Sequence, residues 1–170
     1  VIWVGTDDGR VRVTTAGGGQ WYDVTDQIGD VPDSTWVAHI EVSKFKAGGA
    51  FAVFDDHRRG NWEPYIFRTE DYGGDWDRIA DQGDIRGFVH TIEQDPVAED
   101  LLFAGTEFGL YVTLNGGDDW FQWGHGLPSV PVRSLVIHPR DHDLVIGTHG
   151  RAIYVLDDIQ PLRELAINPR

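Results

Sequence analysis

One turn is spelled three times along this chain, and it constrains the fold more than any other feature. Thr69-Glu70-Asp71-Tyr72-Gly73-Gly74-Asp75-Trp76 returns as Thr113-Leu114-Asn115-Gly116-Gly117-Asp118-Asp119-Trp120 and, decayed, as Thr14-Thr15-Ala16-Gly17-Gly18-Gly19-Gln20-Trp21. Each copy closes an alternating apolar segment. The hydroxyl and the Asx side chain bond backbone groups of the turn, glycine supplies a positive φ, and tryptophan seals the loop by packing. Thr69, Asp71, Gly73 and Trp76, with Thr113, Asn115, Gly117 and Trp120, are therefore expected to be structural.

Between the turns, short β-rich runs are broken by Gly, Pro and Asp. Val132–Ile137, Leu144–Thr148 and Arg151–Leu156 read as strands A, B and C of one unit. The preceding unit matches it with Phe88–Glu93, Leu101–Thr106 and Gly109–Thr113, and Trp120–Trp123 supplies a fourth strand, D. Gly105 and Gly147 stand 42 positions apart, the length of a four-stranded propeller blade. A longer copy runs from Trp36 through Ala50–Phe54 and Tyr65–Arg68, its B–C turn enlarged by Asp55 to Pro64. The first unit begins with strand B at Ile2, and the last stops after strand C. The expected fold is all-β: four-stranded antiparallel β-propeller blades over residues 1–159, two whole and two partial, with 14 strands. A ring needs about 4–8 blades, so the remainder of a larger propeller, or self-association, is expected to close it. Residues 160–170 read as a helical turn or linker.

With three copies in register, the chain resembles the Asp-box (BNR) repeat family of β-propellers, which includes sialidases, xyloglucan-hydrolysing enzymes, sortilin-type receptor domains and a photosystem assembly factor. The stretch Ile146-Gly147-Thr148-His149-Gly150-Arg151-Ala152-Ile153-Tyr154-Val155-Leu156-Asp157-Asp158 is similar to the closing blade of bacterial sortilin-like or "glycosyl hydrolase BNR repeat" proteins. That resemblance implies a secreted or periplasmic propeller of recognition type. The Arg-Ile-Pro signature of sialidases is not reproduced by Ile85-Arg86-Gly87 or Pro139-Arg140.

Composition narrows the partners. A net charge of −14 disfavours nucleic acid and anionic membrane surfaces. No run approaches the ~18 apolar residues of a membrane span. Zero Cys excludes disulfides and thiolate metal sites, and the absence of Met reads as an excised fragment or processed chain. The His residues form no tight ligand signature, so no transition metal is expected; Ca²⁺ on Asp-box oxygens is the one cofactor left open.

Antiparallel strands place B–C and D–A loops on one face, the mouth, with the Asp-boxes opposite. The mouth set comprises Asp7, Asp8 and Arg10; Asp55, Asp56, His57, Arg58, Arg59 and Trp62; Glu107; His149 and Arg151; and Asp84, Arg86 and His125. Acids, His and Arg converging from several blades suit a polar ligand. The enlarged loop stands out because exposed Trp and Arg are favoured in recognition. The expected function is non-catalytic binding of protein or carbohydrate through these loops. The alternative is a fragment of a xyloglucanase-like glycoside hydrolase, for which Asp55 or Asp56 with Glu107 is the candidate carboxylate pair.

Overall fold

A computed structural model describes residues 1–168. Among the described residues, fourteen strands form four antiparallel sheets. The first holds β1 (Ile2–Gly5), β2 (Val11–Thr14) and β3 (Tyr22–Asp23). The second holds β4 (Trp36–Val42), β5 (Ala50–Asp55), β6 (Tyr65–Thr69) and β7 (Asp77–Ala80). The third holds β8 (Val89–Gln94), β9 (Leu102–Thr106), β10 (Gly109–Thr113) and β11 (Phe121–Gln122), and the fourth β12 (Val132–Ile137), β13 (Leu144–Thr148) and β14 (Ile153–Leu156). Helix α1 (Gln160–Ile167) follows; residues 169 and 170 of the predicted tail lie outside the described residues.

The period-two alternation of each strand explains how the sheets stack. In β5, Ala50, Ala52 and Phe54 enter a core shared with the first sheet, whereas Phe51 and Val53 enter one shared with the third. In β9, Leu102 and Ala104 face the second sheet and Phe103 faces the fourth. A strand covered on both faces reads as a continuous apolar run, because each face has its own partner sheet. β14 has only one covered face, and Ile153 and Val155 stand exposed. The sheets are thus fanned as propeller blades, with β4 touching β8 and β8 touching β12 along their inner edges.

The repeated turns sit between strands C and D and lock neighbouring sheets. Thr69 Oγ1 donates to Asp71 Oδ1 (3.0 Å) and accepts the Gly73 N–H (3.0 Å), while Asp71 Oδ1 accepts the N–H groups of Gly74 and Asp75 at 2.9 and 3.0 Å. These bonds, the Asp75 N–H foremost, hold the Asp71 carboxyl below its ordinary value. Thr113 and Asn115 repeat the pattern, with the Gly117 N–H on Thr113 Oγ1 and the Asp119 N–H on Asn115 Oδ1, each at 3.0 Å. In the decayed copy Thr14 still accepts the Gly18 N–H (3.2 Å), but Ala16 replaces the Asx side chain.

Gly73 (φ 87°) and Gly117 (φ 107°) also face the preceding sheet so closely that a Cβ would come within 2.9 Å of Val24 and 2.8 Å of Ile79. Beside them, Trp76 meets Trp3 edge-on at 5.9 Å, and Trp120 Nε1 donates to the Ile79 carbonyl at 2.8 Å. Each tryptophan therefore closes its own turn and fastens one sheet to the one before it.

Each complete inner strand carries a bulge at the same register. Pairing skips Ala38 in β4, His90 in β8 and Arg133 in β12. A bulge re-aims the unpaired residue and bends the strand. In the third and fourth sheets that residue is ionisable, and both lie at the mouth end of their strands.

Candidate functional site

The enlarged loop of the second sheet is ordered by its own polar side chains. Asp55 Oδ1 accepts the His57 N–H (3.0 Å), which starts the 3-10 turn His57–Arg59, and Gly60 leaves it at φ 79°. Asp56 accepts from Arg59 Nε on one oxygen and from Asn61 Nδ2 (3.2 Å) on the other. Arg59 then reaches back to the Asp33 carbonyl (2.9 Å) and Thr35 Oγ1 (2.8 Å), pinning the loop to the connection from the first sheet. Beside this contact a cavity of about 410 Å³ opens between sheets one and two, lined by Asp8, Arg10, Asp26, Asp33, Ser34 and Phe54 among others.

From that base the loop projects His57 and Trp62 onto the third sheet. The His57 ring stacks on Phe88 (centroids 4.5 Å apart, 12° between planes), and its Nδ1 lies 2.6 Å from Asp55 Oδ1. His90 meets the same phenyl ring edge-on at 4.9 Å. Trp62 packs edge-on to Phe88 (5.3 Å) and nearly parallel to Phe108 (6.3 Å), yet keeps 54% of its surface exposed. Arg86 lies over Phe108 at 4.6 Å and Arg58 over Trp36 at 5.2 Å.

His90 is held from both sides. Arg133 Nη1 lies 3.2 Å from its Nδ1 and Glu107 Oε2 lies 3.0 Å from its Nε2. A guanidinium only donates, so Nδ1 accepts and the Nε2–H donates to Glu107. Burial, and secondarily the Arg133 charge, push this imidazole below its ordinary value, against the opposing pull of the Glu107 bond. His90 thus bridges an arginine and a glutamate that are themselves 3.7 Å apart.

Asp55, Asp56, His57, Arg58, Arg59, Trp62 and Glu107 therefore share one region of the mouth, joined by Arg86 from the predicted set. His149 and Arg151 sit exposed in the β13–β14 turn, where the His149 N–H bonds the Pro131 carbonyl (2.9 Å) and neither side chain bonds the cluster. Arg10 is occupied by Asp23 at 2.9 Å, Asp84 accepts the Asp81 N–H, and the His125 carbonyl accepts from Trp123 Nε1. Asp7 and Asp8 remain exposed in the β1–β2 turn.

Sequence reasoning missed Trp36, Phe88, His90, Phe108 and Arg133. Aligning the three inner strands would have set Ala38, His90 and Arg133 at one position, where two polar side chains replace an alanine. That contrast was the available signal.

Chemically, this arrangement offers an exposed indole resting on Phe88 and Phe108, one guanidinium over Phe108 and another over Trp36. Among the described residues, Arg58 and Arg86 have no carboxylate within 4.0 Å. Two-carboxylate hydrolysis needs both carboxyl groups at the substrate. The Asp55 and Asp56 side chains are 0% and 7% exposed, and the 27%-exposed Glu107 is bound to His90. No group of three or more His, Asp or Glu side chains is placed to hold a metal ion among the described residues.

No protein-family model matches the chain, and no curated protein does. Solved structures do. The GH74 enzyme of Niastella koreensis superposes with a TM-score of 0.74 at 18% identity, over 92% of this chain and 26% of that one. The GH74 xyloglucanase of Xanthomonas campestris gives 0.70 at 17% identity, over 92% and 27%. YCF48 bound to D1 peptide gives 0.63 at 17% identity, over 91% and 47%. The chain thus spans about a quarter of the two GH74 structures and just under half of YCF48. At these identities the likeness is one of fold: the chain is a set of β-propeller blades, two whole and two partial.

Proposed function

We propose that this chain is a recognition segment of an Asp-box (BNR) propeller and binds a protein or carbohydrate ligand through its B–C and D–A loops, without catalysis. The observation that carries the reading is the mouth cluster: an indole 54% exposed, set on Phe88 and Phe108, with Arg86 over Phe108 and Arg58 of the same loop over Trp36, two guanidinium groups that no carboxylate of the described chain neutralises. Trp and Arg in such settings dominate binding energy because they combine large apolar area with directed donors. The YCF48 structure holding a peptide supports a protein ligand, and the GH74 enzymes support a carbohydrate.

The same reading takes residues 1–159 as the propeller portion of a sortilin-like, secreted or periplasmic protein, with further blades or a second copy completing the ring. No described helix is long and apolar enough to cross a membrane.

A hydrolase fragment is the second reading, favoured by the GH74 superposition. It relies on Glu107 with Asp55 or Asp56, and both aspartates are turned into the loop that they build. Glycan and peptide arrays probed with the wild-type chain and Trp62→Ala separate the readings. Binding lost in the variant supports recognition, and no binding on either array sinks it. Release of reducing sugar from xyloglucan, abolished by Glu107→Gln, would establish the hydrolase instead.

A further inference from the structure

On the face opposite the mouth, helix α1 is fastened by one buried guanidinium. Ile159, Leu162 and Ala166 place the helix on the core shared by sheets three and four, and Arg163 enters beside them at 4% exposure. Its Nε and Nη2 both lie 2.8 Å from Asp95 Oδ2, in the turn after β8. Its Nη1 lies 2.7 Å from Nδ1 of His142, in the turn between β12 and β13.

Because a guanidinium only donates, the His142 Nδ1 must accept, and the imidazole must be neutral with its hydrogen on Nε2. His142 holds the helix a second time, its carbonyl accepting the Ile159 N–H at 2.8 Å. The surrounding charges are already committed. On the same turn His138 pairs with Asp141 (3.1 Å), and Asp143 accepts the Asp158 N–H (3.0 Å). Asp95 Oδ1 is taken by the N–H groups of Val97 and Ala98 (2.8 and 2.7 Å), and Oδ2 by Arg163. Among the described residues no carboxylate lies within 4.0 Å of a His142 ring nitrogen.

A proton and Arg163 therefore compete for one lone pair, and each excludes the other. We propose that protonation of His142 expels Arg163 from this socket and releases helix α1, making the helix an acid-opened latch on sheets three and four. Opening uncovers Ile159, Leu162 and Ala166 together with the core beneath them. The mouth cluster shares no residue with the latch, so its ligand binding is not part of the test.

Hydrogen exchange on this chain at about pH 7.5 and about pH 5.5, corrected for intrinsic rates, tests the latch. Amides of residues 163–167 lose at least about tenfold protection in acid while those of β9 do not. His142→Gln presents an oxygen to Arg163 and cannot titrate, so it keeps protection at both values. Equal wild-type protection at both values, or acid loss persisting in His142→Gln, overturns the proposal. The wild type carries an independent check: NMR titration of His142 must share its midpoint with loss of the Arg163 side-chain signals, and separate midpoints overturn the proposal as well.

Discussion

Arg133 Nη1 stands 3.2 Å from Nδ1 of His90, so a residue of the fourth sheet sets the tautomer of a buried histidine in the third. Burial is the larger cause of that histidine's lowered pKa and the Arg133 charge the next one acting in that direction. Arg133→Ala should therefore raise the His90 titration midpoint, read by NMR, while leaving it below the ordinary 6.5 because burial persists. The sign for stability follows. A histidine kept neutral by the fold costs nothing above 6.5, but below that value the unfolded chain gains a proton that the native state refuses, so stability falls with falling pH. An unchanged midpoint in the variant would show that Arg133 does not act on His90.

Trp62→Ala separates stability from recognition. The side chain is more than half exposed and rests on Phe88 and Phe108, so unfolding stability should drop by only ~1 kcal/mol. Ligand affinity should drop by ~2 kcal/mol or more, about thirtyfold, if the indole is the anchor. Denaturant melts beside a titration with whichever array ligand is found provide both numbers. A large stability loss with unchanged affinity would make Trp62 a cover for the seam between sheets two and three.

The turn chemistry gives an internal comparison. Asp71→Asn should be nearly neutral at pH 7, because Asn115 already performs the same bonding in the third sheet with its Oδ1. Thr69→Val should cost ~1–3 kcal/mol, because the buried Gly73 N–H loses its acceptor. In acid the gap between the variants widens: the Asp71 carboxyl titrates below its ordinary value, so wild type and Thr69→Val lose the stability it supplies as pH falls through the lowered value, and Asp71→Asn does not. Chemical denaturation at both pH values checks the ranking.

The fold was legible because its signals are local. The Thr, Asx, Gly and Trp of each turn lie within eight positions, and the apolar runs between them set the strands; the predicted Leu101–Thr106 strand is observed as Leu102–Thr106. The loop from Asp55 to Pro64 was equally legible, since length and charge mark an insertion. His90 and Arg133 were not, because period-two reasoning takes strands to be regular, and a bulge decides where those side chains point. Phe88 read only as a strand residue, and Phe108 fell in the turn between two strands. Only the tertiary arrangement makes them the floor under His57 and Trp62. The tail read as a helical turn or linker, and nothing in it pointed to its anchor: Arg163 finds Asp95 across 68 positions, a distance over which no sequence period operates.

The inner strands also carry two glutamates at one register, Glu41 and Glu93, with Lys44 bonded to both. Burial, and then the Glu41 charge, hold the Glu93 carboxyl above its ordinary 4.5, although Lys44 and the Ile137 N–H pull the other way. The unfolded chain therefore releases this proton first as pH rises, so the stability linked to the protonated form is complete below 4.5 and is lost as pH climbs through the raised value. Glu93→Gln keeps an acceptor for the backbone and removes the titrating charge. The variant should melt roughly 2–4 °C above wild type at pH 7, the shift that ~1 kcal/mol makes in a domain of this size, and the difference should close near pH 4. Equal melting temperatures at both pH values would mean that Lys44 fully offsets the burial of Glu93, leaving the paired glutamates energetically silent.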